Sequence, residues 1–146
     1  MSKGTPSAGL AEIARRVFAA GPAYTLVAYT NTQGTLGAAT VLSDLVQPSQ
    51  INGYAPILLD GVWSFTGGVA SYAHSAGASN SNDGNNWPTW YATGAWSASV
   101  TGAAMVYGSI VQHFVDYTDG SGTPIHFVAA NGGKWAIDIS NLVSGP

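Results

Sequence analysis

The sequence predicts a mainly β domain, an antiparallel β-sandwich or jelly-roll-like fold, with one N-terminal amphipathic α-helix. Three observations carry that expectation. Short runs of β-branched and aromatic residues recur along the chain, separated by glycine-containing turns, the pattern of sheets built from hairpins rather than βαβ units. Residues 104–142 string three such runs together. A single segment near the N-terminus carries apolar residues at helical spacing. The 146 residues are enough for one domain with its own core, and 1–146 reads as one.

Residues 1–6 read as a flexible N-terminus. Ser7 is a good N-cap, and Leu10, Ile13, Ala14, Val17 and Phe18 follow at i, i+3, i+4, i+7, i+8 spacing, which predicts a helix over 8–20. Glu12 near its start and Arg15 and Arg16 further on suit the helix dipole. Gly21 and Pro22 then stop it. The stripe of Leu10, Ile13, Val17 and Phe18 needs a cover, either the chain's own sheet or a neighbouring subunit, so these are candidate interface residues.

The β-domain is expected over 23–142. Residues 24–30 read as a strand and 31–39 as a loop, while 40–46 suit either a short helical turn or a strand. Runs at 54–59 and 62–65 flank Asp60 and Gly61, a two-residue hairpin signal. Residues 69–73 make another short strand. Residues 74–87 are mostly Ser, Asn and Gly, an exposed loop, and 97–100 open the strand that leads into the last third. There, a long run over 105–117 stops at Asp119, Gly120, Ser121 and Gly122. A second over 124–130 leads to Asn131, Gly132 and Gly133, and 134–140 alternates apolar and polar residues. The expectation is an antiparallel meander.

Composition narrows the function. Hydrophobic residues make up 46% of the chain and charged residues only 8%, against roughly a quarter charged in an average domain. Charge keeps proteins apart in solution, so much of this surface is expected to be covered by neighbours in a homo-oligomer or larger assembly; the alternative is a Ser/Thr-rich secreted module. The net charge is −3, and the four cations are Lys3, Arg15, Arg16 and Lys134. Phosphate binding needs several clustered cations, so no nucleic-acid partner is expected. There is no cysteine for a disulfide framework or thiolate zinc site. The N-terminus lacks the apolar core of a signal peptide and no run approaches the ~20 residues that cross a bilayer. Synthesis in a cytoplasm and no membrane partner are therefore expected.

The richest candidate surface is the Asn/Trp stretch. Trp87, Trp90, Tyr91 and Trp96 offer flat apolar faces, and Asn82, Asp83 and Asn85 offer partners for sugar hydroxyls. The alternative is that these rings are core or subunit-interface residues, since indoles bury large areas. An EF-hand alignment centred on Gly84 places Ser79, Ser81 and Asp83 at ligand positions but puts Trp90 where the bidentate acid belongs, which leaves at most a looser oxygen site around Asp83. If Gly120 and Ser121 centre a hairpin, Val115 faces His126 and His113 faces Val128. His113 and His126 then share a face with Tyr117, short of a zinc ligand set. His74 begins the loop with no evident partner. No nucleophile elbow, phosphate-cradling loop, HExxH pair or marked carboxylate dyad is found. Neither a metal, a cofactor nor a catalytic residue is expected.

Residues 26–55 carry a resemblance. The strand ending in Thr30 and Asn31 is followed by Thr40, Val41, Leu42, Ser43, Asp44 and Leu45, with Gly53, Tyr54 and Ala55 downstream. This resembles small accessory virion proteins of tailed bacteriophages, cyanophage-like ones included, in which a TxLxDLxxP…GYA stretch precedes a β-rich body. The strand around Tyr107 and Gly108 fits the same layout, whereas the Asn/Trp insertion at 74–96 departs from it. The resemblance implies a virion location and a role in capsid decoration (cement) or in the tail, with the major capsid protein or other virion proteins as partners. It supplies no catalytic residues. The expected function is therefore a non-enzymatic cement protein; the alternative is a tail-fibre or lectin-like carbohydrate-binding module using residues 80–96.

Overall fold

The computed structural model describes residues 24–66, 69–74 and 87–139. The helix expected over 8–20, with Leu10, Ile13, Val17 and Phe18, lies outside the described residues, as do Asn82, Asp83 and Asn85. The described chain is mainly β, with antiparallel sheets. Eight strands follow in order: β1 (Thr25–Tyr29), β2 (Ile57–Leu58), β3 (Val62–Thr66), β4 (Val69–Ala73), β5 (Thr89–Tyr91), β6 (Gly102–Tyr107), β7 (Ile110–Asp116) and β8 (Lys134–Ala136). They form a four-stranded sheet in the order β2-β1-β6-β7 and two pairs, β3-β4 and β5-β8.

The register explains why β1 and β6 are almost continuously apolar. Leu26 lies opposite Ile57 and Met105, and Ala28 opposite Ala103. These residues share one face, where they join Tyr54, Trp90, Trp96, Val100, Ile137 and Ile139 in the main core. The alternate residues Val27, Tyr29, Ala104 and Val106 face the other way, under Leu36, Leu42 and Leu45. A sheet covered on both sides has no polar face, so strict alternation disappears from its central strands. The main core also takes in Ala70 and Tyr72 of β4 and Trp90 of β5, so all three sheets meet in it.

The cover over the second face is the 31–46 segment. Its ambiguous part is a 3₁₀ turn, Leu42–Asp44, rather than a strand. The Asp44 carboxylate accepts the Val41 N–H at 2.8 Å. Asn31 clips the segment to the sheet end, donating to the Asp44 carbonyl at 2.7 Å and accepting from the Val46 N–H at 2.8 Å. On the far side the Leu42 N–H bonds the Ser109 carbonyl at 3.1 Å, beside the bridging pair Val41 and Ile110.

Several expected pairings are corrected. The run over 105–117 is two strands, because the chain reverses at Gly108 and Ser109, where Gly108 takes φ 58°. Apolar residues continue on both sides of that turn, which hides it. Residues 124–130 consequently do not form the next strand. Thr118 bridges Pro124 and Phe127 bridges Val100, but Pro124 has no N–H to extend a ladder. His113 therefore lies opposite Met105 and Val115 opposite Ala103, not opposite Val128 and His126. The third run pairs with β5, a strand within the Asn/Trp stretch, so there is no meander. Asp60 and Gly61 join two sheets instead of closing a hairpin: β2 pairs with β1 and β3 with β4. Residues 97–100 contribute only the Val100 bridge, and the strand starts at Gly102.

Candidate partner-contact surface

The turn before β2 sets the position of the Asn/Trp stretch. Asn52 (φ 52°) and Gly53 (φ 86°) both take the left-handed backbone region that closes a tight turn, with the Tyr54 N–H on the Ile51 carbonyl at 3.0 Å. The turn is packed against residues 91–96. The Asn52 carbonyl accepts the Thr93 N–H at 2.9 Å and the Trp96 indole N–H at 3.0 Å, while the Asn52 amide donates to the Ala95 carbonyl at 2.6 Å. A Cβ on Gly53 would stand 2.0 Å from the Tyr91 carbonyl oxygen, so only glycine permits this approach.

Held this way, Trp90 and Trp96 point inward. Trp90 is 1% exposed and Trp96 7%, and the Trp90 indole donates to the Ala55 carbonyl at 2.7 Å. Their rings belong to a continuous set: Trp96 meets Tyr54 at 5.1 Å and Phe127 at 5.6 Å, and Phe127 meets Trp135 at 4.5 Å, all edge to face. Tyr117 continues the set, 4.6 Å from Trp135. Aromatic pairs in such geometries contribute about 0.5–1.5 kcal/mol beyond burial. Of the four rings singled out from sequence, Trp90 and Trp96 thus lie in the core. Trp87 and Tyr91 are half-buried, and the Lys134 ammonium sits 5.6 Å from the centre of the Tyr91 ring.

The histidines are placed separately. Most of the loop expected over 74–87 lies, at 75–86, outside the described residues, while His74 itself is 3% exposed. Its Nδ1 lies 2.7 Å from the Tyr72 hydroxyl, which also accepts the Gly61 N–H at 2.9 Å. Burial pushes the Tyr72 hydroxyl up to about 12, so it keeps its proton at neutral pH. The His74 Nε2 is buried with no partner among the described residues. Burial also holds His74 below the usual imidazole range, with Asp60 opposing, and lowers His113. His126 is exposed on the rim of a depression of about 440 Å³, beside Thr30, Gln33, Ser99 and Thr101. Among the described residues no group of three His, Cys, Asp or Glu side chains is placed to share a metal ion, and no helix is long and apolar enough to cross a membrane.

What the described surface does offer is apolar side chains. Val62 is 69% exposed, Val128 71%, Val46 59% and Ile51 52%, with Leu58, Ile125, Val41, Tyr107 and Ile110 close to half exposed. Most of these lie outside the four-stranded sheet, in loops or in β3, where strand periodicity gives no inward or outward assignment against that sheet. Compared with protein-family models, curated proteins and solved structures, the chain matches none of them.

Proposed function

We propose that this chain is a non-enzymatic structural protein of a phage particle, a capsid decoration (cement) protein that stabilises a shell by packing on the major capsid protein and on copies of itself. The observation that carries this reading is the pairing of exposed aliphatic side chains (Val46, Ile51, Leu58, Val62, Ile125 and Val128) with a body almost devoid of cations. Such side chains gain from being covered, at ~25 cal/mol for each Å² of apolar surface removed from water. Contacts of ~1,000 Å² or more would tie neighbours together without any reaction. The phage assignment itself rests on the resemblance of residues 26–55. In this reading the domain is sandwich-like, its four-stranded sheet and the β5-β8 pair sharing the aromatic core, and residues 8–20 form a helix.

The resembling stretch also has a physical logic. Leu45 and Tyr54 are core residues, Asp44 closes its own turn, and Gly53 permits the close approach to Tyr91. The glycan-binding alternative is weakened by the burial of Trp90 and Trp96, two of the rings it needs for stacking.

The test is to quantify the chain in purified particles by mass spectrometry and to locate it by cryo-electron imaging. A fixed stoichiometry with the major capsid protein on the outer shell is expected. Recovery solely in the soluble fraction, as a monomer, would overturn the reading. A glycan array with the wild type and a Trp87→Ala/Tyr91→Ala variant decides the alternative: specific sugar binding lost in the variant would replace capsid decoration with glycan recognition.

A further inference from the structure

One row of side chains crosses the end of the four-stranded sheet where the chain enters it. The β1–β6 register places Thr25 opposite Val106, and one step further Tyr24 meets Tyr107, their ring centres 6.0 Å apart. Tyr107 pairs with Ile110, and Ile110 bridges Val41. Directly opposed residues share a face, so Tyr24, Tyr107, Ile110 and Val41 form one apolar row. Its first member is 3% exposed, but Tyr107 is 46%, Ile110 53% and Val41 45% exposed. At about 4.8 Å between strands, the uncovered part spans ~10 Å.

Two further facts point to what covers it. Residues 1–23 hold Lys3, Arg15 and Arg16 against Glu12, whereas the rest of the chain holds six aspartates against Lys134. One of those aspartates, Asp44, is exposed and fixed at the outer end of the row by its bond to the Val41 N–H. Reach is the second. Residue 20 is four residues from Tyr24, so a helix ending there stays within about 14 Å of the row's buried end. Its stripe from Leu10 to Phe18 covers ~12 Å at 1.5 Å per residue, close to the length left bare.

We propose that residues 8–20 dock as a helix on the chain's own Tyr107, Ile110 and Val41, through Leu10, Ile13, Val17 and Phe18, with Arg15 or Arg16 directed at Asp44. A four-residue tether gives an effective concentration in roughly the millimolar range, so the segment of the same chain outcompetes that of a second copy. The docking does not depend on the virion reading, and it leaves Leu58, Val62 and Val128 free to meet neighbours.

The absence of native cysteine makes the test direct. In the full chain, Val17→Cys is combined with Ile110→Cys, and separately with Val128→Cys as a control, then mildly oxidised and run on a non-reducing gel. An intrachain disulfide in the first pair well above the second is expected. Disulfide-linked dimers in its place would overturn docking within one chain, and no excess over the control would overturn docking altogether. A second measurement uses Ile110→Asp, which changes an exposed residue: amide exchange of residues 10–18 should quicken at least about tenfold, with no such change in Val128→Asp. Equal exchange in wild type and Ile110→Asp would refute the contact.

Discussion

Replacing Gly53 by alanine separates two costs that the turn at Asn52 and Gly53 combines. The new Cβ would lie 2.0 Å from the Tyr91 carbonyl oxygen and 3.1 Å from its carbon, both backbone atoms, at φ 86°. A left-handed conformation costs a non-glycine residue about 1–2 kcal/mol, and forcing packed backbone apart adds about 1–3 kcal/mol. Together these give roughly 2–5 kcal/mol, or a fall in Tm of about 6–15 °C for a domain of this size. Gly34→Ala is the matched control, since Gly34 has φ 78° with nothing within 4 Å. It should show the conformational cost alone, about 1–2 kcal/mol and ~3–6 °C. Thermal unfolding of the full chain by circular dichroism reads both. Equal Tm losses in the two variants would refute the close approach of residues 91–93 to this turn.

The Tyr29 hydroxyl donates to the Asp116 carboxylate at 2.8 Å, so Tyr29→Phe should cost about 1.5–3 kcal/mol in urea unfolding; a loss below ~0.5 kcal/mol would deny the bond. Trp90→Ala should remove about 3–5 kcal/mol while Trp87→Ala, at a half-buried site, removes ~1 kcal/mol or less; the reverse order would mean that Trp90 is a surface ring. Burial holds His74 and His113 below the 6.5 of an ordinary imidazole. On acidification through that value the unfolded chain takes up protons the folded chain refuses. Stability should therefore fall until the depressed folded values are reached and then level off. A Tm unchanged between about pH 7.5 and about pH 5.5, or the same slope in a His74→Asn/His113→Gln variant, would refute this.

Local chemistry was legible in the sequence where a strand or turn depends on its own residues. The β1 run, the β4 run and the Asn52–Gly53 punctuation all fall where short-range patterning places them. Pairing was not legible, for a physical reason. Gly108 and Ser109 do carry a two-residue hairpin signal, and Gly108 turns the chain at φ 58°. With apolar runs on both sides and a stronger glycine cluster at 119–122, however, the whole of 105–117 reads as one strand. Once that hairpin closes, β7 takes the position beside β6 that the meander had assigned to residues 124–130. Asp60 and Gly61 carry the composition of a hairpin, but the Gly61 N–H is engaged by Tyr72 of β4, a contact 11 residues away in sequence. The core reading of the Trp side chains holds for Trp90 and Trp96; what short-range patterning does not carry is the partners that fix them, the Ala55 and Asn52 carbonyls 35 and 44 residues distant.

The strap over Val27, Ala104 and Val106 has a consequence for how this protein fails. It is fastened by Asn31 at one end and by Leu42 at the other, mostly through bonds at exposed sites. Unfastened, it would bare a flat strip of small aliphatic side chains on two central strands, a ready template for stacking sheet upon sheet. Asn31→Ala would consequently shorten shelf life before it lowered the melting point, with turbidity appearing while the aromatic core is still intact.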